Sequence, residues 1–283
     1  MFFAAFLLAF LVLWGIVYAA LPTLRWALQF TASRVVRLSQ RYRQGERLVS
    51  YASRFRDYLP VAVILVVGLA LTVWVGDGFI DLAELVHARN GLLQRTDTQM
   101  HDWAVSWRSP DGTLFFVTMS TIGGPAGMAT IAAVAGIALS IRRRWSLVLY
   151  LAVTAAGGSL MDVELKLTFA RARPAVAEML RKADGYSFPS GHAMGATVVL
   201  GALAYLAVRA SARWRWKAAA LAFALTLIVS IAASRVYLGV HWVSDIGAGI
   251  TAGTAWVTVT TVAYETFRRI RALRQTRIEQ QTE

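Results

Sequence analysis

Pro189-Ser190-Gly191-His192 runs without a break into AMGATVVLGALAYLAV, residues 193–208. A proline suits the first turn of a helix, and the following residues are apolar for long enough to be a membrane span, so the polar tetrapeptide stands at the mouth of a helix. The same arrangement recurs on either side. Upstream, the apolar run Ser146–Leu165 ends in Lys166 and, seven positions on, Arg173-Pro174. Downstream, Ser234-Arg235, His241 and Asp245 lie where the run Ala218–Ala233 gives way to Ser244–Tyr264. Three polar islands beside apolar spans therefore supply two His, two Arg, two Ser, a Lys and an Asp.

The rest of the chain has the same character. Of 283 residues 57% are hydrophobic and the mean hydropathy is +0.52, with the apolar residues in long runs rather than alternating, which predicts membrane helices. The expected fold class is all-α, a polytopic membrane helical bundle. Six spans are read at Tyr58–Val75, Thr113–Ile141, Ser146–Leu165, His192–Val208, Ala218–Ala233 and Ser244–Tyr264. The long second run contains Gly123-Gly124-Pro125 and is expected to kink there or tilt strongly. Gly157-Gly158, Gly247, Gly249 and Gly253 are read as sites of close helix approach, without a chemical role. Cysteine is absent, so no disulfide framework or thiolate metal site is available.

Met1 to Leu21 is a further apolar run with no basic residue before it. A signal peptide carries a positive leading region, so this run reads as a retained transmembrane helix and brings the spans to seven. Arg25, Arg34, Arg37, Arg41, Arg43, Arg47, Arg54 and Arg56 follow, interleaved with Trp26, Leu28, Phe30 and Val35. This is either an amphipathic segment on an anionic leaflet or a solvated basic loop, and both put it on one side. Setting it with Arg142-Arg143-Arg144, the connection 209–217 and the tail after Tyr264 gathers 20 of the 29 Lys and Arg there. That side is expected to be cytoplasmic, the polar islands and the N-terminus external, and the net charge of +13 mostly topological, so nucleic acid is not an expected partner. Segment 77–112 becomes an external connection. Phe79 to Arg89 and Asp97 to Trp107 read as short amphipathic helices that either roof the site or merely connect spans; His87 and His101 read as surface histidines.

The islands suit the transfer of a phosphoryl group, which depends on positioning and on cations and N–H donors aimed at the equatorial oxygens. Lys166, Arg173 and Arg235 are the candidate cations, while Arg171, Arg181 and Lys182 read as charges snorkelling to headgroups. Ser190 offers a hydroxyl, Gly191 a backbone that can approach an anion, and His192 a proton for a leaving group. Taken alone, that tetrapeptide could be no more than a helix start. His241 and Asp245 stand four apart, which on a helix would let the carboxylate hold one ring nitrogen and leave the other free to attack phosphorus. Asp162 and Glu164 are either partners of a cation or interfacial charges.

In order and spacing, Lys166…Arg173-Pro174, Pro189-Ser190-Gly191-His192 and Ser234-Arg235…His241…Asp245 resemble the three-part signature of the type 2 phosphatidic acid phosphatase superfamily. That superfamily includes bacterial undecaprenyl-diphosphate and phosphatidylglycerophosphate phosphatases. The signature spans Lys166 to Asp245, and a six-helix pattern extends the likeness over about residues 58–264. The resemblance implies a six-helix phosphatase core at 58–264 with the external segment 77–112, an added N-terminal helix and basic segment at 1–57, and a basic tail at 265–283. It also implies a two-step phosphohydrolase that uses no metal or other cofactor. His241 would be the nucleophile, Asp245 its orienter and His192 the acid and then base, with Lys166, Arg173, Ser190, Gly191 and Arg235 holding the phosphate. Its expected partners are membrane lipids and a lipid phosphate or diphosphate substrate: undecaprenyl diphosphate, phosphatidic acid or phosphatidylglycerophosphate. The two other readings are a phosphotransferase that passes the group to an acceptor other than water, and a transporter or assembly protein that only binds anions. The sequence does not indicate the lipid or the oligomeric state.

Overall fold

The computed structural model describes Phe2 and residues 4–19, 58–174 and 179–282; the basic stretch expected after the first span lies outside these residues. The described residues form helices and no strand. In chain order these are α1 (Ala4–Ala19), α2 (Leu59–His87), α3 (Gly91–Ser106), α4 (Pro110–Ile122), α5 (Pro125–Ile141), α6 (Trp145–Phe169), α7 (Gly191–Ala210), α8 (Trp214–Tyr237) and α9 (Val243–Thr282). Starts follow local chemistry. Asn90 accepts from the Leu92 and Leu93 amides at 3.0 and 3.1 Å, Ser109 caps α4 through Gly112 N at 3.2 Å, and prolines open α4 and α5.

Five helices, α2, α6, α7, α8 and α9, are long and apolar enough to cross a membrane, and α4 with α5 makes a sixth, broken span. The break falls at Gly123-Gly124, with a bend of 54°. A side chain at Gly123 would stand 2.1 Å from Ile231 Cγ2, so the glycine lets the broken helix lie directly on α8. α7 is central, packing on α5, α6, α8 and α9, and its faces are closed by Ala196, Val199, Leu200 and Ala204. The outer faces of α2, α5 and α6 leave Val66, Leu69, Ile137, Leu149 and Leu160 exposed, as lipid-facing surfaces require. α1, read from the sequence as a seventh span, is shorter than these six and lies antiparallel to α8. Phe2 meets Phe116 and Tyr237 at 5.4 and 6.4 Å, while Trp214 at the other end donates to Tyr18 O at 3.1 Å.

Segment 77–112 departs from the sequence reading. Instead of ending at Val75 and restarting near Phe79, α2 is continuous to His87, because its last turns pack Phe79, Leu82, Ala83 and Val86 against Phe188 and Ala248. Nothing lies within 4 Å of where side chains at Gly76 and Gly78 would project, and no proline intervenes, so those glycines do not stop it. His101, expected at the surface, is buried against the Trp242 ring at 5.7 Å, since α3 lies on the start of α9; His87 is exposed as expected. After Tyr264 the chain continues α9 to Thr282.

Candidate active site

The end of α8 sets the first part of the site. Leu238 N bonds to Ser234 O, and the chain turns at Gly239, whose φ of 74° is costly for any other residue. The amides of Val240 and His241 then both return to Arg235 O, at 3.1 and 3.3 Å, which places the His241 ring back over the helix end. His241 therefore precedes α9 rather than lying on it, contrary to the shared helical face expected for His241 and Asp245. The pair forms instead because Asp245, in the first turn of α9, reaches back. Its Oδ2 accepts from Trp242 N at 2.9 Å and stands 3.3 Å from His241 Nδ1.

Arg173 fixes the tautomer. Its Nη1 lies 3.0 Å from His241 Nε2 and 2.8 Å from Val240 O, and an arginine only donates. His241 Nε2 is thus the acceptor, and Nδ1 carries the proton that Asp245 accepts. Burial holds the His241 pKa down at about 4 against the pull of Asp245, so the ring is neutral at pH 7. The carbonyls of Asp184 and Gly185, each 3.0 Å away, complete the seat of Arg173; burial lowers its pKa too, offset by Asp245 and Asp184.

The other cations converge on the same space. Lys166, in the last turn of α6, donates to Asp162 Oδ1 at 2.5 Å and to Pro189 O at 2.9 Å, tying α6 to the entrance of α7. Asp162 is thereby a partner of the cation, whereas Glu164 is exposed. A side chain at Gly191 would meet Asp162 Oδ2 at 2.7 Å and Lys166 Nζ at 2.9 Å, so only glycine leaves room for this pair beside the first turn of α7. Arg235 is buried, its Nη1 donating to Ser120 Oγ at 2.5 Å, while among the described residues neither its Nε nor the fully buried Ser190 hydroxyl has a hydrogen-bond partner. Lys166, Arg173, Gly191, His192, Arg235 and His241 all line one cavity of about 650 Å³, with Asp245 behind His241 and Ser190 at the N-cap of α7. All eight residues picked out in the sequence are thus brought together. Clustered cations, unpaired buried donors and the free amides of a helix N-terminus suit a tetrahedral anion.

Other side chains at the site were missed, among them Lys182, read as a snorkelling charge, which lines the same cavity. Ser187 Oγ donates to Asp245 Oδ2 in a short hydrogen bond. Arg171, read as a snorkelling charge, donates to Asp245 Oδ1 at 2.6 Å and to Asp97 Oδ2 at 2.7 Å. Asp97, on α3, is buried and also accepts from Ser244 N and Oγ, at 3.0 and 2.6 Å. Arg171 is two residues from Arg173, a hint of shared location, but no spacing ties Asp97 to a partner 74 positions away.

The family model described as PAP2 superfamily matches residues 143–269, which include every residue lining the cavity except Gly123 and those of α5. Phosphatidylglycerophosphatase B of Bacillus subtilis (strain 168) is 28% identical over 179 residues, which cover 62% of this chain and 85% of that protein. A crystal structure described as the first transmembrane PAP2 type phosphatidylglycerolphosphate phosphatase from Bacillus subtilis aligns with a TM-score of 0.61 at 26% identity, over 67% of this chain and 94% of the other. LpxE of Aquifex aeolicus aligns at 22% identity and a TM-score of 0.47, over 58% of this chain and 94% of its own.

Proposed function

We propose that this chain, whose residues 143–269 match the PAP2 superfamily model, is an integral membrane lipid phosphatase that removes a terminal phosphate through a phosphohistidine on His241. The observation that carries this reading is the His241 ring itself. It is neutral, its Nδ1–H is held by Asp245, and its Nε2 is turned to Arg173 in a cavity shared with Lys166, His192 and Arg235.

As the phosphate arrives, its oxygens take over the Arg173 donor from Nε2, and Lys166, Arg235, Ser190 and the Gly191 amide supply further donors. Nε2 then attacks phosphorus. The P–O bond to the leaving group breaks, and His192 protonates the departing alcohol or phosphate oxygen. In the second step water, deprotonated by His192, displaces His241 and releases inorganic phosphate. Asp245 balances the positive charge on the imidazole while it is phosphorylated. No metal takes part in these steps.

A lipid substrate is supported by the course of the cavity. The cavity also runs between α5 and α6, where the small side chains of Ala129, Ala132, Ala155, Ala156 and Ser159, beside Met128, leave a groove for a hydrocarbon tail. Keeping that tail in an apolar setting is worth about 0.8 kcal/mol per methylene. Phosphatidylglycerophosphate is the first substrate to test, since the Bacillus subtilis protein and structure carry that activity in their names, with phosphatidic acid and undecaprenyl diphosphate beside it. The test is phosphate release by purified protein with long-chain lipids and with water-soluble short-chain analogues of the same headgroups. The reading expects turnover of at least one long-chain lipid and much lower kcat/KM for its short analogue. Equal efficiency on both would remove the lipid groove, and no release from any lipid would remove the phosphatase.

A further inference from the structure

The mechanism above depends on the Asp245 carboxylate presenting Oδ2, and not its other oxygen, to His241. Side chains that are not signature positions hold it in that orientation. Arg171 spreads its guanidinium between two carboxylates, with Nη1 2.6 Å from Asp245 Oδ1 and Nη2 2.7 Å from Asp97 Oδ2. Both carboxylates are buried, and Arg171 is largely so, lying 5.8 Å from the centre of the Trp242 ring. Asp97 in turn binds the start of α9 through Ser244 N and Oγ, and Ser244 Oγ accepts from Arg171 Nη1 at 2.7 Å. The Arg171 backbone contributes as well, its carbonyl accepting from Ser187 N at 2.8 Å, and Ser187 Oγ donates to Asp245 Oδ2.

Two buried carboxylates this close would repel one another unless a cation lay between them, and a planar guanidinium can bond to both at once, which an ammonium on a flexible stem does poorly. With Oδ1 taken by Arg171, only Oδ2 is left for Trp242 N, Ser187 and the His241 ring. We propose that Asp97 and Arg171 are positioning residues that fix the Asp245 carboxylate and, through it, the attacking ring of His241; the proposal rests on the phosphohistidine reading. Asp97 lies outside the matched family segment and comes from α3, so the external connection is a working part of the site, not just a link between spans.

Phosphate release is measured for the intact protein and for Asp97→Asn, Arg171→Lys, their double variant, His241→Ala and Asp102→Asn, an exposed site on the same helix. Thermal unfolding of each variant is followed in parallel. Asp97→Asn and Arg171→Lys should each lower kcat about ten- to a hundredfold with KM nearly unchanged. The double variant should be little worse than either single one, because both changes break one chain of contacts. Asp102→Asn should match the parent. The proposal is overturned if Asp97→Asn and Arg171→Lys keep the parent kcat while His241→Ala is inactive, or if their losses follow unfolding or KM alone. If His241→Ala itself turns over, the phosphohistidine reading falls and takes the positioning role with it.

Discussion

His241 is shielded from water and neutral at pH 7, which suits a nucleophile that must offer an unprotonated nitrogen. The same burial makes the fold sensitive to acid. The ring has a folded pKa near 4 against an ordinary 6.5, so between those values the unfolded chain binds a proton that the folded chain refuses. Stability is therefore fully present above pH 6.5 and declines as pH falls through that window. His241→Gln removes the titrating group, so its unfolding temperature should fall less steeply than the parent's from pH 7 downward; parallel slopes would show that His241 does not titrate as described. At this scale the sequence showed most of the site. Cations, histidines and an aspartate at motif spacing named themselves by chemical type. Asp97, Arg171 and Ser187 did not, because a buried salt bridge between distant segments has no period or spacing to mark it. Nor could the spacing of His241 and Asp245 show that the turn at Gly239, not a helix face, joins them.

Helices were legible wherever a long apolar run ended in a polar or glycine-proline break. Gly123-Gly124-Pro125 divides one run into α4 and α5 as its composition implied. The glycines read as packing positions serve as such. A side chain at Gly249 would stand 2.7 Å from Ser190 O, and one at Gly157 2.2 Å from the Trp256 ring, so α9 approaches the mouth of α7 and the face of α6 as closely as backbones allow. Where the pattern misled was α2. Hydropathy falls after Val75 as charges enter, yet the helix persists because one face still buries aromatic and aliphatic side chains on Phe188 and Ala248. A hydropathy average registers the loss of a span, whereas helix continuation depends on that one buried face.

Seen as a whole, the bundle separates its charges by end. Following the helices from the site, Arg142-Arg143-Arg144, the α7–α8 connection and the basic end of α9 all arrive at the opposite end, where Glu265 accepts from Tyr205, Arg209 and Arg268 at 2.5, 2.8 and 2.7 Å. By the positive-inside rule that end is cytoplasmic and the site external, a proposal that the Cys-free chain makes simple to test. Thr98→Cys, on the exposed face of α3, should react with a membrane-impermeant thiol reagent added outside intact cells, and Ala212→Cys should not; the reverse pattern would move the chemistry to the cytoplasm. The central claim is covalent, so its most direct measurement is capture of the intermediate. The intact protein is mixed with a long-chain lipid phosphate labelled at the terminal phosphorus, quenched in alkali within one turnover and digested for mass spectrometry. The account predicts an acid-labile phosphoryl group on the peptide carrying His241, absent from His241→Ala. Release of labelled phosphate at full rate by His241→Ala, or label fixed on another residue, would contradict it.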